Sequence, residues 1–123
     1  MTKILYKEQA YLINRRAMEV HKILGPGFLE SVYQAALAHE FQLCNIHFEQ
    51  QKRLPVTYKG TNVGDFIADF VVDEEIIVEI KAAHTLSPHH QAQALHYLAA
   101  TGYRLAILIN FGADSLDYKR IIR

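Results

Sequence analysis

Residues 65–81, DFIADFVVDEEIIVEIK, alternate apolar and polar side chains on both sides of a short acidic turn. No other stretch constrains the fold as tightly. A period of two predicts strands over 63–72 and 76–82, joined through Asp73, Glu74 and Glu75. Phe66, Ala68, Phe70 and Val72 are expected on one face of the first strand, and Ile76, Val78, Ile80 and Ala82 on the matching face of the second. Pairing those faces in an antiparallel hairpin fixes its parity, because a slip of one residue would turn one set outward. Phe70 then lies opposite Val78 and Asp69 opposite Glu79, with β-carbons about 5 Å apart. Lys81, two residues on, faces the same way.

Ile67, Val71 and Ile77 share the face of the two acids, so that face is also expected to be covered. Carboxylates side by side on a covered face repel each other and resist desolvation. A divalent cation beside an ammonium would neutralise them. Magnesium suits a site with few carboxylates, retained waters and phosphate oxygens. The plainer reading is an ion pair of Lys81 with Glu79 or Asp69 at a sheet end. The spacing D-x9-E-x-K inside two apolar strands favours the metal site.

With 123 residues, the chain is expected to form one domain over 1–123, with one core. It has no apolar run long enough to span a membrane and no leader pattern, so a cytoplasmic protein is expected. The single Cys44 excludes an internal disulfide framework and is expected to be buried filler. The formal net charge of zero argues against a strong non-specific grip on nucleic acid. Local clusters of basic residues, or a homodimer, would be ways to gain that grip.

Along the chain, Ile13, Ala17, Val20 and Leu24 recur at helical spacing over 7–24, and Gly25-Pro26-Gly27 ends that helix. His21, in its last turn, reads as a helix-end or packing residue. A second helix is expected from about 28 to 43, apolar on most sides and therefore buried. Glu30 has two readings there. With Gly27 as N-cap it is the third helical residue, satisfying free N–H groups; alternatively it leans over the sheet and adds a carboxylate to the metal site. Residues 46–59 are expected to form one or two strands, with Pro55 marking a bend or an edge. Lys52, Arg53 and Lys59 read as a solvated strand face. Ser87 as N-cap and Pro88 at the first position open a third helix that Gly102 closes. His89, Gln93 and Tyr97 line one face of it, and Ala92, Leu95 and Ala99 are expected to pack on the sheet. Gln93 is either a polar core residue or one that reaches the acids. His89 and His90 point about 100° apart on a helix and cannot easily share an ion. Residues 103–110 read as a buried strand and 117–122 as a last short one. The order predicts an α/β fold, a central mixed β-sheet flanked by helices.

These residues resemble a known group. Gly27-Phe28-Leu29-Glu30-Ser31-Val32-Tyr33 matches the G-x-x-E-x-x-Y signature of the GxxExxY family, within the PD-(D/E)XK nuclease-like superfamily. Asp69 followed by Glu79-Ile80-Lys81 matches that superfamily's D…E-x-K core, with Ala68 in place of its proline. Gln93-Ala94-Leu95-His96-Tyr97 looks like the Q-x-x-x-Y motif of RecB-type nucleases, and Ile109-Asn110-Phe111-Gly112 like the family's strand ending. The resemblance implies a restriction-endonuclease-like core and Mg²⁺-dependent hydrolysis of phosphodiester bonds, with Mn²⁺ as a substitute. It implies Asp69, Glu79, the Ile80 carbonyl and Glu30 as metal ligands, and Lys81 and Gln93 as further catalytic groups. Tyr97 and Tyr33 become candidate substrate contacts. DNA is expected ahead of RNA. The rival expectation is a catalytically silent nuclease-fold module that binds nucleic acid or a protein partner.

Overall fold

In the computed structural model, which describes residues 5–123, the alternating apolar stretches assemble into one mixed sheet. The elements are α1 (Lys7–Leu24), α2 (Glu30–Leu43), β1 (Phe48–Tyr58), β2 (Thr61–Val72), β3 (Ile76–Lys81), α3 (Pro88–Thr101), β4 (Leu105–Asn110) and β5 (Asp117–Ile122). The five strands lie in the order β1-β2-β3-β4-β5. β3 and β4 are parallel, with α3 as the crossover that a parallel pair needs; the other neighbours are antiparallel. Pro55 sits in β1, an edge strand, where a missing N–H is tolerated. Ser87 caps α3 as expected, accepting a hydrogen bond from the His90 N–H, and Gly102 ends it at φ 83°. No helix among the described residues is long and apolar enough to cross a membrane.

Two cores cover the sheet. On one face, Ile13, Ala17, Leu37 and Phe41 of α1 and α2 meet Phe70, Val78, Ile80 and Ile107. On the other, Ala94 and Leu98 of α3 meet Phe66, Ala68, Val71, Ile77 and Leu108. The hairpin expectation needs one correction here. Phe66 and Ala68 lie in the α3 core and Phe70 and Val72 in the other, so these four do not share a face. β1 changes sides at the same level: Phe48 belongs to the first core and Leu54 to the second. The exchange occurs where Gln51, at φ 54°, stands across from Asp69 between two regular rungs, Gln50↔Phe70 and Lys52↔Ala68. A left-handed residue inside a strand re-aims the chain without inserting a residue.

Three further expectations are corrected. α2 buries only Tyr33, Leu37, Ala38 and Phe41 and leaves Val32 and Leu43 exposed, so it is not covered on most sides. α3 turns Ala94 and Leu98 inward, not Ala92, Leu95 and Ala99; with alanines all round, its sequence marks the inner stripe poorly. Cys44 is exposed at the end of α2 rather than buried.

Candidate active site

The register of β2 and β3 follows from their apolar faces: Phe70 pairs with Val78, Val71 with Ile77 and Val72 with Ile76. The ladder stops there. At the next position the Asp69 side chain stands in for the main chain, its Oδ2 accepting the Ile80 N–H at 2.8 Å. Asp69 is thus anchored at the mouth of the opening where β2 leaves β3. Its burial is partial.

Glu79 stays in the parallel ladder with β4, opposite Leu108. It is 8% exposed, and its Oε1 is buried with no hydrogen-bond partner. Its pKa is pushed up from 4.5 to about 9. Burial is the main cause, followed by the charge of Asp69 and the close approach of the Asp69 carboxyl; the charge of Lys81 works in the opposite direction. Asp69, Glu79 and Lys81 are therefore electrostatic neighbours. Lys81 is half-buried and forms none of the ion pairs among the described residues. The plainer reading of the acids, a Lys81 ion pair, is not formed.

α3 brings Tyr97 to the same place. Its ring stacks on Phe66 at 3.7 Å between centroids, and its pKa is raised by burial and then by the charge of Glu79. Gln93, half-buried, lies one turn earlier on the same helix face. Arg53 pairs with Asp65, and Lys52 with Glu49 of its own strand; neither is paired with Asp69 or Glu79.

Two expected residues sit differently. Glu30 is exposed and is the first residue of α2, after N-cap Leu29, rather than the third after Gly27. Among the described residues no three His, Cys, Asp or Glu side chains converge closely enough to hold an ion. Glu30 therefore does not complete a set with Asp69 and Glu79 in this arrangement. Tyr33, expected to touch substrate, is fully buried. Its ring stacks on Phe111 at 4.7 Å, and its hydroxyl donates to the Gly25 carbonyl and accepts from the Phe28 N–H. The last residue of the G-x-x-E-x-x-Y pattern is thus a brace for the loop that leads into Glu30. That expectation fails because the hydroxyl closes on the protein's own backbone.

Asn110, at the end of β4, is a residue whose role sequence reasoning missed. It is fully buried and bonded to Ala83, just beyond Lys81. The available signal was a single amide ending an otherwise apolar strand, two residues before a glycine.

The donor set fits a hard divalent cation. Two carboxylates converge, one carries a buried oxygen with nothing to bond, and an unpaired ammonium lies two residues away. A cation would relieve the burial penalty that otherwise keeps Glu79 protonated.

Comparison with known proteins agrees with this picture. The model of a family described as the PD-(D/E)XK nuclease superfamily matches residues 7–121. No curated protein matches the chain. Among solved structures, the chain resembles an alkaline exonuclease, LHK-Exo, from Laribacter hongkongensis: TM-score 0.54, 14% identity, covering 100% of this chain and 72% of that one. It also resembles SSO0001, with TM-score 0.52 and 15% identity, covering 98% of this chain and 78% of that one. At such identities these two likenesses establish the fold alone.

Proposed function

This chain belongs to the PD-(D/E)XK nuclease superfamily, and from that premise we propose that it is a divalent-metal-dependent nuclease. The observation that carries the reading is the buried, unpartnered Oε1 of Glu79 beside Asp69 and Lys81. Nucleases of this superfamily generally use divalent metal ions. Asp69 and Glu79 would hold the ion, with the Ile80 carbonyl beside them and Glu30 reaching it through water. We take Mg²⁺ as the resident ion and Mn²⁺ as its substitute, because the donors are hard oxygens. When bound, such an ion supplies Lewis-acid stabilisation of phosphoryl charge and makes a bound water more acidic.

The chain's own groups do the rest. The Ile80 N–H holds Asp69 through one oxygen and so fixes the direction of its carboxylate. Lys81, unpaired, offers its ammonium to the attacking water or to a charged phosphate oxygen. Gln93 orients that group from α3. Tyr97 has one ring face on Phe66, so it offers its edge and hydroxyl to a sugar or base. DNA is the proposed substrate. The motif at Gly27–Tyr33 supports placement in the GxxExxY family.

Calorimetry with Mn²⁺ or Mg²⁺ is expected to show binding to the unmodified chain and none to Asp69→Ala. A supercoiled plasmid should be nicked by the unmodified chain and far more slowly, though still measurably, by Lys81→Ala. No binding at millimolar Mn²⁺ would sink the proposal. The formal net charge of zero favours a second reading, a nuclease fold retained as a binding module. Metal binding without cleavage of any DNA or RNA would select it.

A further inference from the structure

Strand β3 ends at Lys81, and the chain then turns away towards α3. A strand end of this kind ordinarily frays, because the next N–H and C=O groups have no ladder partner. Here they have one. Asn110, opposite Lys81 on β4, extends its carboxamide to Ala83. Its Oδ1 accepts the Ala83 N–H at 2.9 Å, and its Nδ2 donates to the Ala83 carbonyl at 2.8 Å. The same Oδ1 accepts the Gly112 N–H at 3.1 Å. One bond further back, the Phe111 N–H donates to the Lys81 carbonyl at 2.9 Å. The side chain thus imitates an extra main-chain residue and carries the β3–β4 pairing past the end of the strand.

The fit leaves no slack. A β-carbon on Gly112 would meet the Ala83 backbone N and O at 2.5 Å each, so the turn after Asn110 presses directly on the segment it holds. Phe111, between them, stacks on Tyr33, whose hydroxyl braces the loop before Glu30. Asn is the side chain that meets these demands. Asp would face the Ala83 carbonyl with a second acceptor, and Gln is one methylene too long.

We infer that Asn110 is a positioning residue of the nuclease site: it fixes the direction in which Lys81 leaves the sheet. This inference rests on the proposed nuclease reading for its catalytic consequence, but not for the clamp itself. A lysine stem has four rotatable bonds, so where its ammonium can reach depends on a fixed Cα–Cβ direction. A misplacement of about 1 Å, even from a residue remote from the chemistry, can cost about 100-fold in rate.

The test uses four proteins: the unmodified chain, Asn110→Ala, Lys81→Ala and the double variant. In Mn²⁺, Asn110→Ala is expected to cut kcat for DNA cleavage by about 10- to 100-fold with little change in KM. On the Lys81→Ala background it should cost nothing further, because its effect runs through Lys81. Losses that multiply, or an undiminished kcat, overturn the inference. Amide exchange in the metal-free protein keeps the two readings apart. Asn110→Ala should lose most of the protection at Ala83, a larger drop than the one its lower global stability brings to Val78 and Ile107; a drop at Ala83 no larger than theirs overturns the clamp. Should the unmodified chain cleave nothing, the nuclease reading fails, and with it the catalytic role of Asn110; the exchange data still decide the clamp. If Asn110→Ala does not fold, Asn110→Ser replaces it, since a hydroxyl cannot span both Ala83 groups.

Discussion

Glu79 and Asn110 are the buried polar residues among those described, and they lie on neighbouring strands two rungs apart. Their surroundings differ in one respect. Asn110 closes three hydrogen bonds on the backbone of Ala83 and Gly112. Glu79 keeps an oxygen with no partner and a pKa raised to about 9. Polar burial that closes on itself builds the frame of the site. Polar burial left open costs stability, and its retention beside Asp69 and Lys81 makes sense if a cation completes it. The comparison separates residues that hold the site from residues that use it.

The sharpest way to break this contrast is to remove each side chain and read the sign of the stability change. Asn110→Ala leaves the half-buried Ala83 N–H and C=O without their partner. By ordinary hydrogen-bond costs it should destabilise the protein by about 2–4 kcal/mol in urea unfolding. A loss below about 1 kcal/mol would mean that water replaces the amide and that the clamp is dispensable.

Much of this frame was legible in advance. The register Phe70↔Val78 follows from two apolar faces that tolerate no odd slip. The start of α3 follows from Ser87 and Pro88. The same parity put Asp69 opposite Glu79, but the regular pairing ends at Phe70↔Val78, and Asp69 comes near Glu79 through its side-chain bond to the Ile80 N–H. What could not be read is where side chains act against local pattern. Gln51 takes φ 54° with no glycine to announce it, and both strands change faces there. Tyr33 reads in the sequence as a candidate substrate contact, yet its hydroxyl finds Gly25 and Phe28 through a loop that no periodicity describes. Asn110 is informative only once Ala83 is known to lie across from it.

The next largest effect carries the opposite sign. Glu79→Gln should stabilise the metal-free protein by roughly 1–3 kcal/mol near neutral pH, because burial and the Asp69 charge penalise only the ionised form. The folded pKa, about 9, lies above the ordinary 4.5. The folded chain therefore holds the proton more tightly than the unfolded one. Stability from this group is complete below pH 4.5 and lost as pH rises towards 9. The advantage of the Gln variant should vanish near pH 4.5 and grow through that window. A variant no more stable than the parent at pH 8 would mean that water satisfies Glu79 after all.

Adding the ion should then reverse the order. Binding to an ionised Glu79 must displace its proton, so Mn²⁺ affinity is expected to rise by up to about tenfold per pH unit between pH 6 and 8. Calorimetry in buffers of different ionisation enthalpy would show the released proton directly. Saturating Mn²⁺ should raise the Tm of the unmodified chain and leave that of Glu79→Gln nearly unchanged. A pH-independent affinity would place the ion away from Glu79.

The smallest expected effect sets the baseline for the contrast. Arg53 and Asp65 form a 3.3 Å ion pair on the β1–β2 ribbon, with side chains 71% and 35% exposed. Both are ionisable, as Glu79 is, and they are partnered, as Asn110 is, but water reaches both. An exposed pair gains little Coulomb energy and gives up side-chain entropy to form. Arg53→Ala should therefore shift stability by less than about 0.5 kcal/mol, and less still in high salt. A larger loss would show that the ribbon depends on this pair. Burial would then no longer be what distinguishes Glu79 and Asn110 from the other polar contacts of the sheet.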